Sequence, residues 1–190
     1  MDLKDYILVF DNSLPDGLSE KIVELYKQST PQKQSTKIGH YYNLDIKDKI
    51  DGGYYEWEDL YKNLSKSLSE VSIEYREKHN LIGVFPPYLA MEPSTIREFR
   101  SENYLRPHVD SIGVNNCKRY LTIITYLNDC EEGIRFTDLD VHIKAKSGRM
   151  VVFPTSWIYV HEELAPTIPK YTIETYLVYR HESALFKSSK

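Results

Sequence analysis

Apolar residues follow helical spacing in the first half of the chain and strand spacing in the second half. Residues 55–80 carry large apolar side chains at steps of three and four, with charged residues between them, which predicts an amphipathic helix. The apolar positions of this helix are Trp57, Leu60, Tyr61, Leu64, Leu68, Val71 and Tyr75. A shorter helix is predicted from Leu18 to about Ser29, ahead of Pro31. Both apolar stripes should pack on the outer face of a sheet.

Three other segments of the first half have distinct patterns. Residues 5–11 are an apolar run before a turn-rich sequence, which predicts a short buried strand. Residues 30–53 are polar and predict a long loop with little regular structure. This loop is either a lid that folds over a site when a ligand binds or a mobile surface loop with no role. Residues 81–88 contain two prolines, which should end the long helix.

From residue 90 onward the chain consists of short apolar or alternating runs separated by turn residues. The predicted strands are 96–100, 104–110, 119–128, 134–136, 140–145, 149–153 and 170–179, with a turn at 129–133. Turn signals at intervals of roughly 8–12 residues are typical of an antiparallel sandwich or barrel. The second half is therefore predicted to be mainly β.

The last predicted strand has one polar and one apolar face. Lys170, Thr172, Glu174 and Tyr176 alternate with a mostly apolar set of neighbours, so they should share one side of the sheet. A polar face that starts with a lysine suits the inner wall of a site. Because a buried ammonium needs an anionic partner, the carboxylate of a ligand would be a suitable one.

Three residues have the types and spacing of a metal site. His108 and Asp110 point to the same side of an extended strand, roughly 6.6–6.8 Å apart along the chain. His161 follows 53 residues after His108 (161 − 108), so a different strand must bring it alongside. Two imidazoles and one carboxylate can occupy one face of a six-coordinate Fe(II) and leave the other positions open. This set is the main candidate for chemistry.

The surrounding motifs resemble a known family. They are Pro107-His108-Val109-Asp110-Ser111, Leu121-Thr122 with Tyr126-Leu127-Asn128, residues 148–154, Tyr159-Val160-His161-Glu162 and Lys170-Tyr171. Over about residues 92–180 the chain is similar to the 2-oxoglutarate- and Fe(II)-dependent dioxygenases, specifically the prolyl 4-hydroxylase-like group with its short phage and bacterial members. The resemblance implies an α+β, mainly β fold, the double-stranded β-helix or jelly roll, with the N-terminal helices on the outer face of its major sheet. It also implies one dioxygenase domain over 1–190, with a catalytic core at 91–182.

The resemblance implies a role for each site residue. His108, Asp110 and His161 would bind iron, Lys170 would pair with the distal carboxylate of 2-oxoglutarate, and Tyr126 would give that carboxylate a hydrogen bond. The cofactors would be Fe(II), 2-oxoglutarate and O₂, and ascorbate is a further candidate. The reaction would convert 2-oxoglutarate to succinate and CO₂ while a C–H bond is hydroxylated.

The chain departs from the family pattern at three places. Glu132-Gly133 replaces a pair of glycines, Tyr176 stands where many members have a tryptophan, and Glu174 lies on the presumed inner face near Lys170. These departures affect the expected details of the pocket and leave the metal set intact.

Composition limits the classes of partner. A net charge of −4 and a pI near 5.9 argue against general nucleic-acid binding. Cys117 and Cys130 lack Cys-x-x-Cys spacing and are predicted to be reduced thiols. No apolar leader or membrane-length run is evident, so the expectation is a soluble, cytoplasmic protein. No pattern in the sequence predicts an oligomeric state.

Substrate is predicted only by the resemblance, which favours a prolyl residue in a peptide or protein. A free amino acid, another small molecule or a nucleobase alkyl group is the alternative within the same chemistry. A catalytically silent jelly-roll binding protein is the alternative outside it. The 16 tyrosines fit either a peptide-binding surface or ordinary half-buried packing.

Other polar residues are weaker candidates for a role in the site. Arg100, Arg106 and Tyr104 lie near the metal strand and are candidates for substrate contact, against the alternative of solvated side chains. The remaining histidines, expected at the surface or in loops, are His40, His79, His142 and His181.

Overall fold

The computed structural model describes residues 2–85 and 89–179. Its helices are a 3₁₀ helix at Leu3–Tyr6, α1 at Leu18–Gln28, α2 at Ile46–Asp51 and α3 at Tyr55–Lys78. Its strands are β1 Leu8–Phe10, β2 Gln32–Ser35, β3 Gly39–Asp45, β4 Thr95–Phe99, β5 Tyr104–His108, β6 Arg119–Tyr126, β7 Cys130–Phe136, β8 Val141–Ala145, β9 Met150–Pro154, β10 His161–Glu163 and β11 Lys170–Val178. Among the helices of this part of the chain, none combines the length and the apolar character needed to cross a membrane.

The strands form one curled antiparallel sheet. Its order is β1-β9-β6-β11-β4-β3-β5-β10-β7-β8, and β2 extends it as a hairpin with β3. Phe136 on β7 and Phe153 on β9 lie near opposite ends of this order, yet their ring centroids are 4.8 Å apart. The sheet therefore curls until its two halves face each other, which is the jelly-roll architecture expected for a mainly β chain.

The curled sheet separates two groups of buried side chains. On its outer face, α1 and α3 pack against the major half of the sheet through residues such as Ile22, Leu64 and Ile173. On its inner face, Tyr126 and Phe153 belong to a second cluster between the two halves. The apolar stripes of both helices thus cover the outside of the sheet, as the sequence predicted, and leave the inside available for a site.

Several predicted elements are confirmed within a few residues. The helices expected over 18–29 and 55–80 are α1 and α3, and the last strand is β11. In register, Thr172 of β11 is paired with Tyr126 of β6 and with Arg97 of β4, so these three residues share the inner side of the sheet. The polar face predicted for the last strand is therefore the inner one. The break expected over 81–88 falls partly on residues 86–88, outside the described part.

The prediction for residues 30–53 is wrong. In place of a long irregular loop, this stretch contains β2, β3 and α2, and β3 pairs with both β4 and β5. Most side chains of β2 and β3 are exposed or half-buried, so the segment has the polar composition of a loop although its backbone is in the sheet. The proposed lid movement stays an untested prediction.

Two smaller boundaries also differ from the prediction. The strand expected over 5–11 is shorter, because the 3₁₀ helix takes residues 3–6 and β1 starts at Leu8. The turn expected over 129–133 is wrong from Cys130 onward, where β7 has already begun. Gly133 lies inside β7, next to an irregularity in its pairing with β8.

Gly133→Ala should destabilise the protein by about 2–3 kcal/mol, because a methyl group at this position would overlap a backbone atom. An ideal Cβ on Gly133 would lie 2.0 Å from the carbonyl oxygen of Ile143, so the two strands would have to separate. Urea unfolding measures the change. Glu131→Ala on the same strand is the control, since it removes only an exposed ion pair with Lys144. Equal stability of the two variants would contradict the close approach.

Candidate active site

The inner face of the curled sheet brings the three predicted metal ligands together. β5 and β10 are antiparallel neighbours in which His108 is the direct partner of His161, and their ring centroids are 4.4 Å apart. Asp110 follows two residues after His108, just beyond the end of β5. One possible donor atom from each residue lies within 4.8 Å of the others. The spacing predicted from the sequence thus gives a compact three-donor cluster.

Backbone contacts orient both imidazole rings. Nδ1 of His108 lies 2.8 Å from the carbonyl oxygen of Arg106, and Nδ1 of His161 lies 3.1 Å from that of Tyr159. A carbonyl oxygen only accepts, so each Nδ1–H donates and each Nε2 keeps its lone pair. The Nε2 atoms of His108 and His161 lie 3.8 and 3.6 Å from carboxylate oxygens of Asp110. These separations are too long for hydrogen bonds and fit three ligands around one ion.

The charge states of the cluster suit a divalent metal. Burial, assisted by repulsion from His161, lowers the pKa of His108 to about 4, so its imidazole is neutral at pH 7. Burial alone would raise the pKa of Asp110, but attraction to His161 and His108 holds it below its usual value. A neutral imidazole and an ionised carboxylate are the forms that bind metal. The iron implied by the sequence therefore fits the donors present.

A buried polar network holds Asp110. The hydroxyl of Thr122 donates to one carboxylate oxygen at 2.6 Å, and the phenol of Tyr176 donates to the other at 3.4 Å. Tyr176 also donates to Glu174, which forms a buried ion pair with Arg97. Burial raises the pKa of Glu174, and Arg97 opposes that rise. Glu174 and Tyr176, two of the noted departures from the family pattern, thus belong to the support of the metal cluster.

Aromatic rings close one side of the cluster. The rings of Phe153 and Phe136 lie 4.9 and 5.9 Å from the ring of His161, measured between centroids, and neither phenylalanine is exposed. An apolar wall of this kind excludes water from the neighbourhood of the three-donor cluster.

Lys170 and Tyr126 are also together on the inner face, as predicted, but a third residue connects them. The ammonium of Lys170 is fully buried and donates to Glu163 at 2.6 Å and to the carbonyl oxygen of Leu164 at 3.2 Å. The phenol of Tyr126 donates to the other oxygen of Glu163 at 3.4 Å. Thr172, also buried and on the same face, has a hydroxyl with no hydrogen-bond partner among the described residues.

Glu163 and Arg97 also lie at the site, and the sequence did not predict them. Strand alternation from His161 places Glu163 on the same side, so the signal was present in the spacing. Arg97 occupies the second position of Ile96-Arg97-Glu98, and its inward direction follows from the register with Thr172, which the sequence does not encode locally.

The substrate-contact candidates lie away from the cluster or show no contact with it. Arg100 is paired with Glu98, whose carboxylate also accepts hydrogen bonds from Tyr26 and Tyr171 on the helix side of the sheet. The side chain of Arg106 is exposed. Tyr104 packs edge-on against His40. Arg100 therefore belongs to the outer face of the sheet and not to the inner face, where the cluster lies.

The remaining histidines and cysteines have ordinary structural surroundings. His79 stacks on Tyr6 at 4.8 Å between ring centroids, and His142 is exposed. His181 lies outside the described residues. Cys117 and Cys130 are free thiols, as predicted.

A known protein family matches the part of the chain that forms this site. The profile of the 2OG-Fe(II) oxygenase superfamily aligns with residues 94–178, a range that contains all three metal-ligand candidates together with Lys170 and Tyr126. Residues 94–178 are a 2OG-Fe(II) oxygenase domain. The protein is accordingly a dioxygenase enzyme that uses Fe(II), 2-oxoglutarate and O₂.

Solved structures share the fold of this oxygenase. A viral collagen prolyl hydroxylase from Paramecium bursaria Chlorella virus-1, in complex with 2OG, superposes with a TM-score of 0.69 at 15% identity, over 90% of this chain and 95% of that one. A Trichoplax adhaerens prolyl hydroxylase bound to a peptide fragment of hypoxia inducible factor gives 0.71 at 17% identity, over 97% and 88%. A Pseudomonas putida prolyl-4-hydroxylase gives 0.65 at 16% identity, over 93% and 94%. Among curated protein sequences, no match to the oxygenase was found.

Proposed function

We propose that this oxygenase hydroxylates a prolyl residue in a peptide or protein. In this proposal His108, Asp110 and His161 are the iron ligands, and Lys170 and Tyr126 bind the distal carboxylate of 2-oxoglutarate. The observation that carries the assignment is the convergence of three donor atoms within 4.8 Å on the inner face of the jelly roll. The whole chain, 1–190, is proposed to act as one dioxygenase domain, because β3 from its N-terminal part pairs with β4 and β5 of the core.

The residues of the chain would divide the work of the reaction among them. Bound iron, with 2-oxoglutarate and O₂, supplies the oxidising power for an unactivated C–H bond. The backbone carbonyls of Arg106 and Tyr159 hold the Nδ1 atoms of both histidines, so that the Nε2 atoms would be free to bind the metal. Thr122 fixes the Asp110 carboxylate by its 2.6 Å hydrogen bond. The buried ammonium of Lys170 would orient the co-substrate from its far end.

Exposed apolar side chains close in sequence to Asp110 and His161 favour a peptide substrate. Ile112 and Val114, which follow Asp110 closely in the chain, are 73% and 90% exposed, and Trp157, four residues before His161, is 78% exposed. Large apolar side chains at the surface are commonly binding contacts when they occur near a site. Two of the similar structures are a collagen prolyl hydroxylase and a prolyl hydroxylase with a bound peptide, which supports the same substrate class.

Two measurements test the proposal in sequence. Anaerobic addition of Fe(II) and 2-oxoglutarate should produce the weak visible charge-transfer band of the chelate. Proline-containing peptides incubated with the complete system should then gain the mass of one oxygen, whereas matched peptides with alanine in place of proline should not. A chelate band with oxidation of free amino acids or other small molecules instead of peptides would overturn the peptide assignment. A missing band would contradict the proposed ligands of iron and 2-oxoglutarate.

A further inference from the structure

The residue nearest the proposed co-substrate anchor is an acid of the protein itself. Glu163 is the last residue of β10, two positions after His161, and its side chain turns inward with only 2% exposure. One of its oxygens accepts from the Lys170 ammonium and the other from the Tyr126 phenol. These are the same two groups that are proposed to bind the distal carboxylate of 2-oxoglutarate.

We propose that Glu163 is an internal competitor of 2-oxoglutarate and thereby sets the co-substrate affinity of the enzyme. Its carboxylate lies on Lys170 where the distal carboxylate of the co-substrate would lie, so that binding replaces one buried charge-assisted contact with another. The inference rests on the proposed role of Lys170. It makes Glu163 a residue that determines affinity and selectivity for the co-substrate, while the iron ligands carry the chemistry.

The surroundings give Glu163 no alternative cation among the residues described. The partly buried guanidinium groups of Arg97 and Arg119 lie near this site, and they are already paired with Glu174 and Glu92. When a second carboxylate arrives at Lys170, either Glu163 turns away unpaired or two anions share one ammonium. Both outcomes cost free energy because the site is buried and like charges repel. The binding of a dicarboxylic 2-oxo acid is therefore weakened.

The competition applies to one end of the co-substrate only. A 2-oxo acid without a distal carboxylate, such as 2-oxopentanoate, does not need Lys170 and can bind with the Glu163–Lys170 pair intact. The enzyme should thus have more similar Kd values for 2-oxoglutarate and 2-oxopentanoate than it would have if Lys170 had no protein carboxylate as a partner. In the absence of co-substrate, the pair keeps the buried ammonium neutralised.

Glu163→Gln tests the inference because it removes the charge and retains the shape. Anaerobic titration of the Fe(II) protein, followed by the charge-transfer band, gives the Kd of each 2-oxo acid. We expect Glu163→Gln to bind 2-oxoglutarate about tenfold more tightly, with unchanged affinity for 2-oxopentanoate. Added 2-oxoglutarate should also raise the Tm of the variant more than that of the natural protein. Glu162→Gln is the matched control, since Glu162 is the adjacent acid on β10 and pairs with Arg135.

Equal or weaker binding of 2-oxoglutarate by Glu163→Gln would overturn the inference. Lys170→Met separates this failure from a failure of the proposed site. If Lys170→Met leaves 2-oxoglutarate affinity unchanged, the role of Lys170 is wrong; if it weakens binding while Glu163→Gln has no effect, only the competition is wrong. In the Lys170→Met background, Glu163→Gln should no longer tighten binding.

The unsubstituted protein provides a test that does not depend on folding of any variant. Its Kd for 2-oxoglutarate should be lower than its Kd for 2-oxopentanoate by no more than about tenfold, because the distal carboxylate gains little from an already paired ammonium. A preference of about a thousandfold would show that Glu163 does not compete.

Discussion

Asp110→Ala should reduce kcat/KM by about a thousandfold or more, because the carboxylate is the anionic member of the proposed iron set. The substitution also leaves the Thr122 hydroxyl and the Tyr176 phenol without their shared acceptor inside the site. Succinate release measures turnover, and iron titration under anaerobic conditions measures the metal. His108→Ala should give a loss of the same order, because it removes the neighbouring ligand on β5.

An exposed acid serves as the control for that loss. Asp138 lies in the turn between β7 and β8, and Asp138→Ala changes the net charge equally without touching the inner face. Its turnover should stay within about twofold of the natural protein, as is usual for surface changes. Succinate production by Asp110→Ala at more than a tenth of the natural rate would exclude Asp110 from the metal site.

Lys170→Met should raise the KM for 2-oxoglutarate by about tenfold, while iron remains bound at the same stoichiometry. The methionine fills a similar volume but cannot neutralise a carboxylate. A second effect is expected on stability: Glu163 would be left buried without its cation, which costs about 3–5 kcal/mol in the free energy of unfolding. Urea unfolding of the iron-free protein measures this loss separately from the kinetics.

The double variant Lys170→Met with Glu163→Gln discriminates between the two effects of the lysine. It should recover much of the stability, because no uncompensated charge remains in the interior. It should not recover the affinity for 2-oxoglutarate, because the anchor is still missing. Loss of bound iron in Lys170→Met would contradict the separation of the anchor from the metal cluster.

The local sequence pattern was sufficient to predict the elements whose two faces differ strongly in polarity. The alternation from Lys170 to Tyr176 predicted both the strand and its inner face, and the register with β4 and β6 agrees with it. The long helix was predictable because its apolar stripe is continuous over 24 residues. The grouping of His108, Asp110 and His161 was predictable because two imidazoles and one carboxylate within the quoted family motifs are a typical ligand set for Fe(II).

Long-range pairing was not predictable in the same way. β3 combines two tyrosines, which favour strands, with glycine, asparagine and aspartate, which disfavour them, so its composition does not separate a central strand from a loop. The pairing of Glu174 with Arg97 depends on the register between β11 and β4, which is fixed by the fold as a whole. Glu163 could have been predicted from alternation alone, yet its contact with Lys170 requires the loop between β10 and β11 to return to the same cavity.

The position of β3 makes this strand a place where substitutions can affect the active site of the enzyme. β3 lies between β4, which belongs to the half of the sheet that carries Lys170, and β5, which carries His108. β3 thus lies between the strand that carries the candidate ligand His108 and the strands that lead to Lys170, and it precedes the family-matched region by about fifty residues. Substitutions in 39–45 should therefore alter the spacing between the two halves of the active site although they lie outside it. A shortened chain that began near residue 90 would lack β3, so β4 and β5 would lose the strand that joins them.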